Sequence, residues 1–259
     1  MNIAVAMAVA GHEKYFYFAS KSIPTFLHNC PGTELLVFTD RTARIKDMAP
    51  WATRLHAIEY ETYFRATPMG RIKELSTFNQ KCPGYFDASY NHNHVIVAAL
   101  LPMAQAWAAR HLPWATHLIK IDCDAFFAGG NLMARVAEDV QADPDYDLWL
   151  VERTHPLMGR DGMGRPGVGF TMWTAGGPFI PTYIERFNGN EQSTILKLRS
   201  RVRTKLLTHP GYHFVFPFHA GQAKIAYTKE QLATVLPAYF HVHLESEFDQ
   251  LESWFGGVK

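Results

Sequence analysis

The run "NIAVAMAVAG" at residues 2–11 is apolar without interruption. A half-exposed strand alternates with a period of two, so an unbroken run predicts a strand covered on both faces, as inside a parallel sheet. "EKYFYFASKSIPTFLHNC" follows with aromatic and apolar residues at helical spacing, and predicts a helix broken near Pro24 and closed by "PGT". "ELLVFTD" predicts a second buried strand ending on Asp40, and "RLHAIEY" a third, shorter one. Strand, helix and strand in this order predict an α/β fold with a mixed, mostly parallel central sheet flanked by helices.

Farther along, "MGRIKELSTFNQKC" predicts a helix, whereas "PGYFDASYNHNH" is turn-rich. "HVIVAALLPMAQAWAARHL" predicts a strong helix that Pro102 should bend or begin. It feeds into the strand "HLIKI", followed by a helix at "NLMARVAEDVQA" and a strand at "DLWLVER". The segment "HPLMGRDGMGRPGVGF" holds five glycines and two prolines, which predicts a loop that is mobile or shaped around a ligand. "GVGFTMW" and "AYFHVHLES" predict late strands. No shift in composition marks a boundary, so residues 1–259 are expected to form one domain.

Composition narrows the function classes. The chain is 47% hydrophobic and 19% charged, as a folded globular protein should be. Its 25 basic residues against 24 acidic ones argue against a protein that coats nucleic acid. Cys30, Cys82 and Cys123 match neither a zinc spacing nor a disulfide framework, so a reducing, cytoplasmic setting is expected. The apolar start lacks a basic n-region and reads as a buried strand, not a signal peptide. No apolar run is long enough to span a membrane, which leaves only peripheral membrane contact open.

The chemistry is concentrated where "HLIKI" ends in Asp122-Cys123-Asp124. Residues two apart on an extended backbone point the same way, so both acids can face one site. Two adjacent carboxylates repel unless a cation lies between them or one stays protonated. Mn²⁺ or Mg²⁺, which prefer oxygen and commonly bridge to phosphates, would resolve the repulsion. An ordinary turn could also use such acids.

An α/β opening followed by an apolar strand ending in Asp-x-Asp resembles the GT-A-fold glycosyltransferases, retaining families in particular. The resemblance implies a Rossmann-like single domain in which residues 1–127 bind a nucleotide-sugar and residues 128–259 face the acceptor. Ala8, Val9 and Ala10 would lie at the nucleoside, while Asp122 and Asp124 would hold the metal and the diphosphate. "GNEQSTILKL" is similar to the acid-Gln segment some retaining families place beneath the sugar, which makes Glu191 and Gln192 the catalytic candidates. Glu191 could equally be a first-turn acid complementing a helix dipole. His241 and His243 in "FHVHLES" match the late histidine that many members use as a third metal ligand, with His243 favoured. Gly167 and Gly169 would permit close backbone approach to the sugars. The implied partners are a nucleoside-diphosphate sugar, foremost a UDP-sugar, and a hydroxyl acceptor on a glycan or small molecule. Polysaccharide biosynthesis at a cell surface is the setting that analogy supplies.

Three alternatives stay open at this point. "DCDAFFA" also resembles the metal motif of Y-family DNA polymerases, although that motif lies at the chain start there. A haloacid-dehalogenase-type phosphatase also uses Asp-x-Asp, but with Gly-Thr after it rather than "AFF". A nucleotide-sugar-binding protein without turnover would keep the same site. Lys224 or the Arg199–Arg203 group could assist phosphates, against a solvated basic helix face.

Overall fold

The structure is a computed structural model. It describes residues 2–66, 88–128, 132–152, 154–155, 159–160, 166–188, 191–207, 214–216, 218–220, 223–225, 228–235, 239–242 and 245–255. Within these, the chain runs β1 (Ile3–Val9), α1 (Glu13–Asn29), β2 (Glu34–Thr39), α2 (Thr42–Met48), β3 (Leu55–Glu59), α3 (Tyr60–Ala66) and α4 (Ala88–His111). It continues with β4 (His117–Ile121), β5 (Ala125–Phe127), α5 (Leu132–Ala142), β6 (Leu148–Glu152), β7 (Thr154–His155), β8 (Gly159–Arg160) and β9 (Pro166–Thr174). Then come α6 (Phe179–Arg186), α7 (Glu191–Leu198), β10 (Thr204–Leu207), β11 (Phe214–Phe216), β12 (Phe218–Ala220) and β13 (Ala223–Ile225). The last elements are α8 (Lys229–Val235), β14 (Tyr239–Val242) and α9 (Glu245–Phe255).

Seven strands form the central sheet in the order β10-β6-β9-β4-β1-β2-β3. All its pairings are parallel except those of β9, which runs antiparallel to both β4 and β6. This is the mixed, mostly parallel sheet that the apolar runs predict. β1 shows why its sequence does not alternate. Val5, Met7 and Val9 enter one core with Phe16, Ile23 and Phe26 of α1, while Ala4, Ala6 and Ala8 enter another with α4. The row of alanines leaves room for α4 to lie close against β1.

Two helix expectations need correction. Pro24 does not break α1, which runs through it for 17 residues. The lost hydrogen bond costs on the order of 3 kcal/mol. Burial of Phe16, Ala19, Ile23, Phe26 and Leu27 against the sheet offsets that cost. Similarly, "ASYNHNH" is not a turn but the start of α4, and Pro102 lies inside that helix. No Gly or Pro stands between Ala88 and Leu101 to stop it. The helix predicted at "MGRIKELSTFNQKC" lies outside the described residues.

Candidate active site

The sheet order reverses at β1. The chain leaves β1 for β2 on one side and later returns to β4 on the other. The β1–β4 ladder ends at Ala6 opposite Lys120, whereas β1 stays paired with β2 as far as Val9 opposite Thr39. Beyond Lys120 the pairing of the two strands stops, at the carboxyl ends where the sheet order reverses. Open α/β sheets bind ligands at such a switch point. Asp122 and Asp124 stand at its edge.

The turn carrying these acids is held from three sides. The Asp122 amide donates to the carbonyl of Gly169 at 3.2 Å. β9 bulges there, since Thr171 faces Leu150 while Gly167 already faces Val151, and bulges re-aim strands beside functional sites. From α1, Ser22 Oγ lies 2.5 Å from the carbonyl oxygens of both Cys123 and Ala125. Asn29 Nδ2 donates to the carbonyl of Phe127 at 2.9 Å. On the remaining side β5 pairs with β14 in antiparallel register, His241 opposite Ala125 and Tyr239 opposite Phe127.

Lys120 forms the electrostatic centre. On β4 it shares a face with Leu118, and its strand neighbours Ala6 and Thr171 have short side chains. Its side chain is 2% exposed, and Nζ lies 2.6 Å from Asp122 Oδ1 and 3.3 Å from Glu191 Oε1. A longer hydrogen bond of 3.4 Å reaches Glu191 Oε2. Glu191 Oε1, though close, makes no hydrogen bond among the described residues. Burial disfavours the ammonium, but the Asp122 and Glu191 carboxylates outweigh it and raise the lysine above its ordinary range. Burial pushes the Glu191 carboxyl up to about 7, against the pull of Lys120 and with a further push from Asp122. Burial, with Asp124 and Asp122 nearby, also raises the Cys123 thiol well above its usual value, so it stays protonated and is no nucleophile.

At the end of β1, Gly11 takes φ of 79°, which only glycine adopts readily. Its amide donates to Asp40 Oδ2 at 3.2 Å, and Arg41 Nη2 donates to its carbonyl at 3.1 Å. Arg41 and Arg44 both pair with Glu13 and lie over the ring of Phe16. The expected nucleoside contacts Ala8, Val9 and Ala10 have buried side chains. Any ligand there would meet their backbone.

Glycosyltransferases are among the solved structures that share this architecture. Mouse xyloside xylosyltransferase 1 superposes with a TM-score of 0.56 at 10% identity, over 93% of this chain and 97% of that one. A glycosyltransferase involved in glycosylating the major capsid of PBCV-1 gives 0.50 at 10% identity, over 98% of each chain. The galactosyltransferase LgtC, in complex with donor and acceptor sugar analogs, gives 0.50 at 10% identity, over 99% and 97%. The fold is the GT-A glycosyltransferase fold. No protein-family profile matches the sequence, and no curated protein does.

Within the glycosyltransferase fold, the sequence candidates separate. Asp122, 27% exposed, meets Glu191, 10% exposed, through Lys120. Gln192 is exposed on α7, because neighbouring helix positions diverge by about 100°. His241 is fixed on β14 by its backbone register, and His243 lies outside the described residues, as does most of the glycine-rich loop at 161–165. The basic group is remote: Arg199 and Arg201 line an open cleft of about 690 Å³ at the far end of α7 from Glu191, and Arg203 pairs with Asp147 at 3.2 Å. It fits the solvated-face reading. Lys120, Ser22 and Asn29 carried no signal in sequence. A lysine in a strand and polar residues in a helix reveal nothing until their partners are known.

Two carboxylates at a strand end suit a hard divalent cation. Among the described residues no group of three His, Cys, Asp or Glu could hold a metal ion. No described helix is long and apolar enough to cross a membrane.

Proposed function

We propose that the protein is a metal-dependent glycosyltransferase that moves a sugar from a nucleoside-diphosphate sugar to a hydroxyl acceptor. The observation that carries this reading is the placement of Asp122 and Asp124 at the switch point between β1 and β4, in the fold of enzymes such as LgtC, whose structure holds donor and acceptor sugar analogs. In the reaction the bond from the anomeric carbon to the diphosphate breaks, a bond to the acceptor oxygen forms, and the acceptor proton leaves. Asp122 and Asp124 would hold Mn²⁺ or Mg²⁺ with a late histidine, His243 before His241. When bound, the ion would neutralise charge on the departing nucleoside diphosphate.

The chain's own groups divide the remaining work. Backbone at Ala8, Val9 and Ala10, beside Gly11, would border the nucleoside in the donor half, residues 1–127. Glu191, beside Lys120, would receive the acceptor proton or steady positive charge on the sugar, with residues 128–259 as the acceptor half. Gln192, exposed on α7, would contact the sugar beside it. A UDP-sugar donor and a glycan acceptor in polysaccharide biosynthesis are the partners we favour. A polymerase is disfavoured, since the acids follow the fourth strand along the chain, not the first, and a dehalogenase-type phosphatase, since "AFF" and not Gly-Thr follows them.

Thermal-shift measurements with UDP and UDP-sugars, with and without Mn²⁺, test the reading. Stabilisation by nucleotide only when Mn²⁺ is present, and its loss in Asp124→Ala, is the expected result. Nucleotide binding indifferent to Mn²⁺, or intact in Asp124→Ala, would overturn it. Slow hydrolysis of the bound UDP-sugar separates an enzyme from a binding protein.

A further inference from the structure

We propose that Lys120 is a positioning residue that couples Asp122 to Glu191 and competes with the divalent cation for Asp122. This rests on the metal-dependent reading above. A lysine buried in the middle of a sheet is costly, and an apolar side chain of similar volume would fill the slot without the cost. Its ammonium therefore needs a reason, and its contacts supply one. It joins the end of β4 to the first turn of α7 by ion pairs with Asp122 and Glu191.

The ammonium is shared unequally. It holds Asp122 Oδ1 at 2.6 Å but stays 3.3 Å and 3.4 Å from the two Glu191 oxygens. Glu191 Oε1 is buried and makes no hydrogen bond among the described residues, so this carboxyl has an unfilled place for one. A cation seated on Asp122 and Asp124 repels the ammonium and takes over the Asp122 charge. Lys120 then closes on Glu191 and fixes it. Metal binding on the donor side thus tightens the first turn of α7, on the acceptor side, through one side chain.

Hydrogen exchange and Mn²⁺ titration of wild type and Lys120→Met test this. In metal-free protein, the amides of Ile195 and Leu196, bonded one turn back in α7, should exchange about tenfold faster in Lys120→Met, with β1 unchanged. Mg²⁺ should slow those amides in wild type and not in the variant. Mn²⁺ should bind the variant about three- to tenfold tighter, because its competitor is gone. If Lys120→Met does not fold, Lys120→Met/Glu191→Gln, which removes the orphaned carboxylate, is compared with Glu191→Gln. Unchanged α7 exchange, or Mn²⁺ affinity that is equal or weaker, overturns the proposal. Absence of Mn²⁺ binding in wild type, with or without UDP, overturns the metal reading instead; the metal-free exchange then decides whether Lys120 positions Glu191.

Discussion

Ser22 Oγ, buried within α1, lies 2.5 Å from the carbonyl oxygen of Cys123, the residue between the two acids. The same oxygen reaches the carbonyl of Ala125, so its single proton serves two acceptors flanking Asp124. Among the described residues β5 is the edge strand of its small sheet, with β14 on one side only. Ser22 and Asn29 of α1 do on the other side what a neighbouring strand would otherwise do.

Ser22→Ala should therefore loosen the turn that carries Asp124. The expected cost is about 1–3 kcal/mol, that of leaving buried carbonyls without a donor. Urea melts give the stability change, and Mn²⁺ titration in the presence of UDP should show weaker binding in the folded variant. Stability lost with metal binding intact would mean that Ser22 holds α1 and not the turn.

The raised Glu191 carboxyl predicts a pH dependence of stability. Its value is about 7 in the folded protein against an ordinary 4.5. Between these values the folded state binds a proton that the unfolded state has released, so stability falls as pH rises from about 4.5 to about 7 and levels off above. The contribution is at most about 3 kcal/mol. Melting of metal-free wild type and Glu191→Gln across that range should show the wild type losing stability relative to the variant. Parallel curves would place the Glu191 carboxyl in the ordinary range.

Arg54 supplies a control whose hydrogen bonds go to neither acid. Its Nη1 donates to the carbonyls of Thr33 at 2.7 Å and Cys30 at 3.1 Å, and its Nη2 to Leu27 at 3.1 Å. Leu27 lies in the last turn of α1, whose carbonyls lack helical donors, and Cys30 and Thr33 belong to the turn that leads to β2. Arg54→Met should cost about 2–3 kcal/mol in urea unfolding. Mn²⁺-dependent UDP binding by the folded fraction should not change.

The architecture was legible wherever burial alone dictates a pattern. Unbroken apolar runs marked β1 and β2, and a mostly apolar one marked β4, because each is covered on both faces. Pro24 and the "SYNHNH" stretch misled because local preferences lost to packing: α1 and α4 are each fixed by the apolar surface they bury on β1. The acids were visible, since charges ending an apolar strand are a local signal. Lys120 was not, because one lysine in "HLIKI" reads as a strand position turned to solvent. Only the return of α7 from far along the chain shows that it is buried between carboxylates.

Of the two late histidines proposed for the metal, single variants tell which one binds it. β14 runs antiparallel to β5, with Tyr239 opposite Phe127 and His241 opposite Ala125. Each step along β14 therefore moves back along β5 toward Asp124 and Asp122. His241 pairs with Ala125, the residue after Asp124, and His243 lies outside the described residues. With His243 as the proposed third ligand, His243→Ala should weaken Mn²⁺ binding by about tenfold or more, the scale expected for loss of a direct ligand. His241→Ala should change it by less than about threefold, with any stability loss coming from β14. Electron paramagnetic resonance of free Mn²⁺ reads both affinities without requiring the sugar donor. The reverse ranking would place His241 on the metal instead.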